Sequence, residues 1–125
     1  MKKKVLIVDD SLTIRSSLQR YFQVNYEVTL AENGQECIHI LEKNQDYDLL
    51  ILDVNMPIMD GMEAVHNIAK NENIKEIKTI MLTTEANQEK KEELYQYKFV
   101  KCWIIKPITE DLILAAAKQI LDRKG

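Results

Sequence analysis

At four places this 125-residue chain sets residues suited to phosphate chemistry directly after a short apolar run. Asp9 and Asp10 follow Val5–Val8, and Asp53 follows Leu49–Leu52. Thr83 and Thr84 follow Ile77–Leu82, and Lys106 follows Trp103–Ile105. A carboxylate can act as a nucleophile toward phosphorus. Three crowded carboxylates repel one another unless a cation sits among them, and oxygen-only donors suit Mg2+. A lysine and a hydroxyl would neutralise and hydrogen-bond the other oxygens of a transferring phosphoryl group. Taken singly, each residue has an ordinary explanation: an Asp after a strand is commonly a turn former or helix cap. Likewise a lone Thr is a strand residue and a lone Lys a surface charge. Only a common site explains the set.

Whether they meet depends on the elements that carry them. The apolar runs are Val5–Val8, Tyr26–Ala31, Leu49–Leu52, Ile77–Leu82 and Trp103–Ile105. All but the second are near-continuous, as parallel strands covered on both faces require. Between them, apolar residues recur at helical spacing: Ile14, Leu18 and Tyr21–Phe22; Cys37, Ile38 and Leu41; Met62, Val65, Ile68 and Ala69; Leu112, Ala115, Ala116 and Leu121. Asn33-Gly-Gln-Glu36 and Asp60-Gly-Met-Glu63 read as helix starts. The segment Asn87–Lys98 carries the weakest helical signal, because its charge run leaves only Leu94, Tyr95 and Tyr97 as anchors.

The pattern βαβαβαβαβα predicts one α/β domain over residues 1–125, a doubly wound (βα)5 fold with a five-stranded parallel sheet. The common order is 2-1-3-4-5, with the functional crevice at the carboxyl ends of strands 1 and 3. Asp53 would then have the acidic pair on one side and Thr83, followed by Lys106, on the other.

Composition narrows the function classes. The chain is 46% hydrophobic and 30% charged with a net charge of −3, which gives no support for nucleic-acid binding. No apolar run nears the ~20 residues of a membrane span. The Lys2-Lys3-Lys4 start is followed by only four apolar residues, too few for a secretory signal. Cys37 and Cys102 lack metal or disulfide spacing, so buried, reduced thiols in a cytoplasmic protein are expected. His39 and His66 sit in helical patterns as structural or surface residues.

The Val-Asp9-Asp10-Ser start, Leu-Asp53-Val-Asn-Met-Pro57-Ile-Met-Asp60-Gly61, Thr83 after an apolar strand, and Lys106-Pro107 together resemble the receiver domains of response regulators over essentially the whole chain. The resemblance implies a flavodoxin-like fold and phosphorylation of Asp53 by a histidine kinase. It implies a phosphoacceptor that assists only its own phosphorylation and dephosphorylation, not an enzyme with an outside substrate. It implies Mg2+ held directly by Asp10, Asp53 and the Asn55 carbonyl, and by Asp9 through water. Lys106 would contact the phosphoryl group, and the Lys106–Pro107 bond would be cis. A downstream protein would bind the face of helix 4, strand 5 and helix 5. Among subtypes, the Asp53-x-Asn-Met-Pro segment is most similar to stand-alone chemotaxis regulators, whose partner is a flagellar switch protein.

Three positions depart from the family pattern: Thr84 stands where a small residue is usual, Trp103 where Tyr or Phe is usual, and Phe99-Val100 replaces Gly-Ala. Trp103 is read as the switch aromatic that works with Thr83. Polar Asn55 and Glu85 imply a short-lived phosphorylated state. Two alternatives stay open. One is a receiver cut from a longer transcriptional regulator. The other is a phosphohydrolase resembling haloacid dehalogenases, although there the nucleophile comes first in the chain and the acidic pair last.

Overall fold

A computed structural model describes residues 2–123. The elements alternate as β1 (Lys3–Val8), α1 (Leu12–Phe22), β2 (Tyr26–Ala31), α2 (Gly34–Lys43), β3 (Leu49–Asp53), α3 (Gly61–Lys70), β4 (Thr79–Thr83), α4 (Gln88–Leu94), β5 (Val100–Ile105) and α5 (Glu110–Asp122). All strand pairs are parallel and the order is β2-β1-β3-β4-β5.

The period-2 alternation of each strand builds two cores. Leu6, Val8, Leu50, Leu52 and Met81 face one side, where they pack on Cys37, Leu41, Val65, Ile68 and Leu94 of α2, α3 and α4. Val5, Ile7, Leu49, Ile51, Ile80 and Leu82 face the other, against Leu18 and Phe22 of α1 and Ile113 and Ala117 of α5. Strands β3 and β4 are buried along their whole length, while the edge strands β2 and β5 are only partly covered. That difference explains why Tyr26–Ala31 reads as a mixed run: an edge strand meets solvent on one flank.

Each helix starts on a side-chain cap. Ser11, Asn33, Asp60, Asn87 and Thr109 accept from the backbone N–H groups of Ile14, Glu36, Glu63, Lys90 and Leu112. Among the boundaries that differ from the sequence reading, two carry consequences. Helix α4 is only seven residues long, ending at Leu94, because Tyr95 and Tyr97 leave the helical path. Tyr97 then stacks on Phe99, with ring centroids 5.7 Å apart. Strand β5 begins at Val100 rather than Trp103, with a register shift opposite Thr79 and Ile80. Of the thiols, Cys37 is buried as expected, but Cys102 lies on the edge strand and is only partly so. Among the described residues no helix is long and apolar enough to cross a membrane.

Candidate functional site

At the carboxyl edge of the sheet, β1 ends in Asp9 and its neighbour β3 ends in Asp53. Asp9 is wholly buried and Asp53 nearly so, whereas Asp10 is exposed. The β1–α1 turn is fixed by several bonds. The Asp9 N–H donates to the Ala31 carbonyl at 3.1 Å, and Asp9 Oδ1 accepts from the Ser11 N–H at 2.9 Å. Asp53 is held from the other direction. The Val54 N–H bonds the Leu82 carbonyl at 2.9 Å, and the Gly61 N–H bonds the Val54 carbonyl at 2.8 Å, bringing the start of α3 against the end of β3.

Lys106 reaches both buried carboxylates. Its backbone N–H is bound to the Thr83 carbonyl at 2.7 Å, which sets its position at the end of β5. From there Nζ lies 3.1 Å from Asp9 Oδ2 and 3.3 Å from Asp53 Oδ1. The sequence order suggested that Thr83 would stand between Lys106 and Asp53. Instead the long side chain passes over β4, and the Thr83 hydroxyl donates to the Glu85 carbonyl at 2.9 Å. The Lys106–Pro107 peptide bond is cis.

Electrostatics follow from the burial. Removal from water, and then repulsion from Asp9, push Asp53 up to about 6, against the lowering effects of Lys106 and of the Asn55 backbone bond. Burial pulls on Lys106 in the neutral direction. Bonding and attraction to Asp9 and Asp53 outweigh it, so its pKa lies above the usual lysine value. One ammonium faces three carboxylates, whose oxygens come within 4.8 Å of one another. Asp9 Oδ2 is buried and meets the Lys106 ammonium at 3.1 Å. A concentration of hard oxygen donors with surplus negative charge fits a small divalent cation.

The structure thus brings Asp9, Asp10, Asp53 and Lys106 together. The Asn55 side chain is exposed on the loop after β3, while its backbone reaches back to Asp53. Trp103 is half-buried against the core on the α2–α4 side. With Leu94, Tyr97, Lys91 and Lys98 it lines a groove of about 330 Å³ between α4 and β5.

Sequence reasoning passed over Arg15 and named no partners for His66. Arg15 is buried in α1, where Nη1 donates to the Asp9 carbonyl at 2.8 Å and Nη2 meets Glu32 Oε1 at 3.3 Å. A signal existed, since Arg15, Leu18 and Phe22 recur at helical spacing on the buried face. His66 also has partners: Nδ1 is 2.7 Å from the Tyr97 hydroxyl and Nε2 is 2.6 Å from Glu93. Those partners come from the region of α4, so spacing within α3 held no trace of them.

The fold and this edge define a protein of the doubly wound class with an acidic pocket at the switch point of the sheet. The chain belongs to the response regulator receiver domain family, whose sequence model matches residues 5–118. It is 36% identical over 121 residues to the chemotaxis protein CheY1 of Helicobacter pylori, covering 94% of this chain and 96% of that one. The transcriptional regulatory protein ResD of Bacillus subtilis is 34% identical over 122 residues, which cover 96% of this chain but 48% of ResD. Among solved structures, the chemotaxis protein CheY4 of Vibrio cholerae matches with a TM-score of 0.86 at 35% identity, covering 96% of this chain and 99% of that chain.

Proposed function

We propose that the chain is a single Mg2+-dependent switch domain that accepts a phosphoryl group on Asp53 from a histidine kinase. The observation that carries this reading is the Lys106 ammonium, 3.1 Å from Asp9 and 3.3 Å from Asp53 at the mouth of an acidic pocket. In the reaction, an Asp53 oxygen attacks phosphorus in line as the phosphorus–nitrogen bond to the donor histidine breaks. The departing imidazole nitrogen takes a proton from solvent. Lys106 would exchange a carboxylate oxygen of Asp53 for a phosphoryl oxygen without leaving its place. Asp10, Asp53 and the Asn55 carbonyl would hold Mg2+ directly, and Asp9 through water. When bound, Mg2+ supplies the positive charge that the phosphoryl oxygens require.

The output would follow from competition for one hydroxyl. Phosphate on Asp53 offers Thr83 an acceptor stronger than the Glu85 carbonyl, because a charged acceptor makes the stronger hydrogen bond. Thr83 moving toward it would leave space for Trp103, altering the face of α4, β5 and α5 that a downstream protein reads. The likeness to the chemotaxis protein CheY1 over 96% of that protein supports a role in chemotaxis, and in that role the partner would be a flagellar switch protein and the location cytoplasmic. The likeness to 48% of the transcriptional regulatory protein ResD supports a second reading, the same switch governing transcription. Loss of directed swimming, rather than of gene induction, on deletion would select the first.

The biochemical test uses acetyl phosphate. Intact mass should rise by one phosphoryl group in the presence of Mg2+, and Trp103 fluorescence should change. Asp53→Asn should abolish both. Labelling that persists in Asp53→Asn, or that never occurs in the wild type, would overturn the proposal.

A further inference from the structure

Arg15 is an unusual core residue. Its guanidinium is nine-tenths buried, yet it neither touches Asp53 nor pairs with a buried carboxylate. A charged side chain buried in this way is costly unless its donors are satisfied. Nη1 is given to the carbonyl of Asp9, at 2.8 Å, and Nη2 to the exposed Glu32 just beyond β2, at 3.3 Å.

The carbonyl it holds belongs to the Asp9–Asp10 peptide unit, so the plane of that peptide is fixed from the α1 side. Asp10 depends on this more than its neighbours do. The Asp9 carboxylate is held by the Ser11 N–H and by Lys106, whereas Asp10 is open to solvent, and its backbone sets where its Cβ lies and so which positions its carboxylate can reach. Rotation of the Asp9–Asp10 peptide would swing Asp10 out of the group whose oxygens lie within 4.8 Å of one another. The planar guanidinium presents its N–H groups in fixed directions, one toward the carbonyl and one toward Glu32, a preorganisation that the rotatable donors of an ammonium lack.

We infer that Arg15 is a positioning residue for the cation site, acting on Asp10 through the Asp9 carbonyl. This rests on the proposed Mg2+ site. Supporting groups of this kind commonly change metal affinity by about 10- to 100-fold.

The test is a Mg2+ titration of wild type, Arg15→Met, Arg15→Lys, Glu32→Gln and Asp53→Asn. It is followed by Trp103 fluorescence and by the rise in Tm that Mg2+ produces. Arg15→Met should bind Mg2+ about 10- to 100-fold more weakly, with a smaller Mg2+-induced rise in Tm. Its labelling by acetyl phosphate at saturating Mg2+ should stay close to wild type. Glu32→Gln, which leaves the bond to Asp9 in place, should bind Mg2+ nearly as the wild type does. If Arg15→Met does not fold, Arg15→Lys carries the same comparison, because it keeps the charge and loses the fork. Equal Tm losses with and without Mg2+, at unchanged affinity, would mean a merely structural arginine and would overturn the inference. A wild type without any Mg2+ response that Asp53→Asn removes would overturn the cation site itself, and this role with it.

Discussion

A Cβ added at Gly61 would lie 2.2 Å from the carbonyl oxygen of Asp53 and 2.9 Å from the Cα of Val54. Helix α3 therefore starts flush against the strand end that carries the acceptor, and backbone rather than a yielding side chain fills the space. Gly61→Ala must push the two apart. It should destabilise the fold by about 1–3 kcal/mol, measured by urea unfolding. Labelling by acetyl phosphate should slow as well, because the same shift displaces Asp53 from Lys106. Unchanged labelling in a destabilised variant would show that the displacement is taken up by α3 alone.

The raised pKa of Asp53 makes a prediction about stability in EDTA. The native state holds this proton up to about pH 6, whereas an ordinary carboxyl loses it near 3.8. Between those values the native state binds more protons than the unfolded state, so stability falls as pH rises through the window. At about 1.4 kcal/mol per unit, the fall is on the order of 2–3 kcal/mol. Asp53→Asn removes the titrating group, so it should flatten this window and be the more stable protein at pH 8. Urea unfolding from pH 4 to 8 measures both, and a wild-type stability that does not fall relative to Asp53→Asn across the window would refute the assignment.

Ile58 has a φ of 70° and is largely exposed. The Met59 N–H bonds the Pro57 carbonyl at 2.8 Å across it, closing a three-residue turn. A β-branched residue is poorly suited to that conformation. The turn is nevertheless held, since the Met59 carbonyl accepts from the Gly34 N–H at 2.9 Å. Ile58→Asn keeps the turn and eases the strain, and should raise stability by about 1 kcal/mol. A lower Tm in this variant would show that the exposed isoleucine makes contacts that outweigh its backbone strain.

His66 joins α3 to the segment around α4 through Tyr97 and Glu93, and its ring meets the Tyr97 ring edge-on. Because α4 is short and rich in charge, this cluster is a main tie between the two. A double-mutant cycle of His66→Ala and Tyr97→Phe should give a coupling energy of about 1 kcal/mol. Amide exchange in α4 should quicken in either single variant. Additive losses, without coupling, would show that the short contact contributes nothing in solution.

Much of this protein was legible in its sequence. The alternation of apolar runs with helical patterns determined the element order, and handed crossovers then left few topologies, so the 2-1-3-4-5 sheet could be named from residue types alone. The strand-end positions of Asp9, Asp53 and Lys106 followed, because a parallel sheet places all its carboxyl ends on one edge. Tertiary structure decided what those side chains touch. Lys106 bridges Asp9 and Asp53 because its stem is long enough to pass over β4, a fact of reach rather than of order. Thr83 bonds the Glu85 carbonyl because its hydroxyl finds the nearest acceptor in its own loop. Arg15 and His66 took their roles from partners on other elements, Glu32 beyond β2 and Glu93 with Tyr97 around α4. Periodicity records which face of a helix is buried. It carries no record of what is buried against that face, since those contacts form only when distant segments pack.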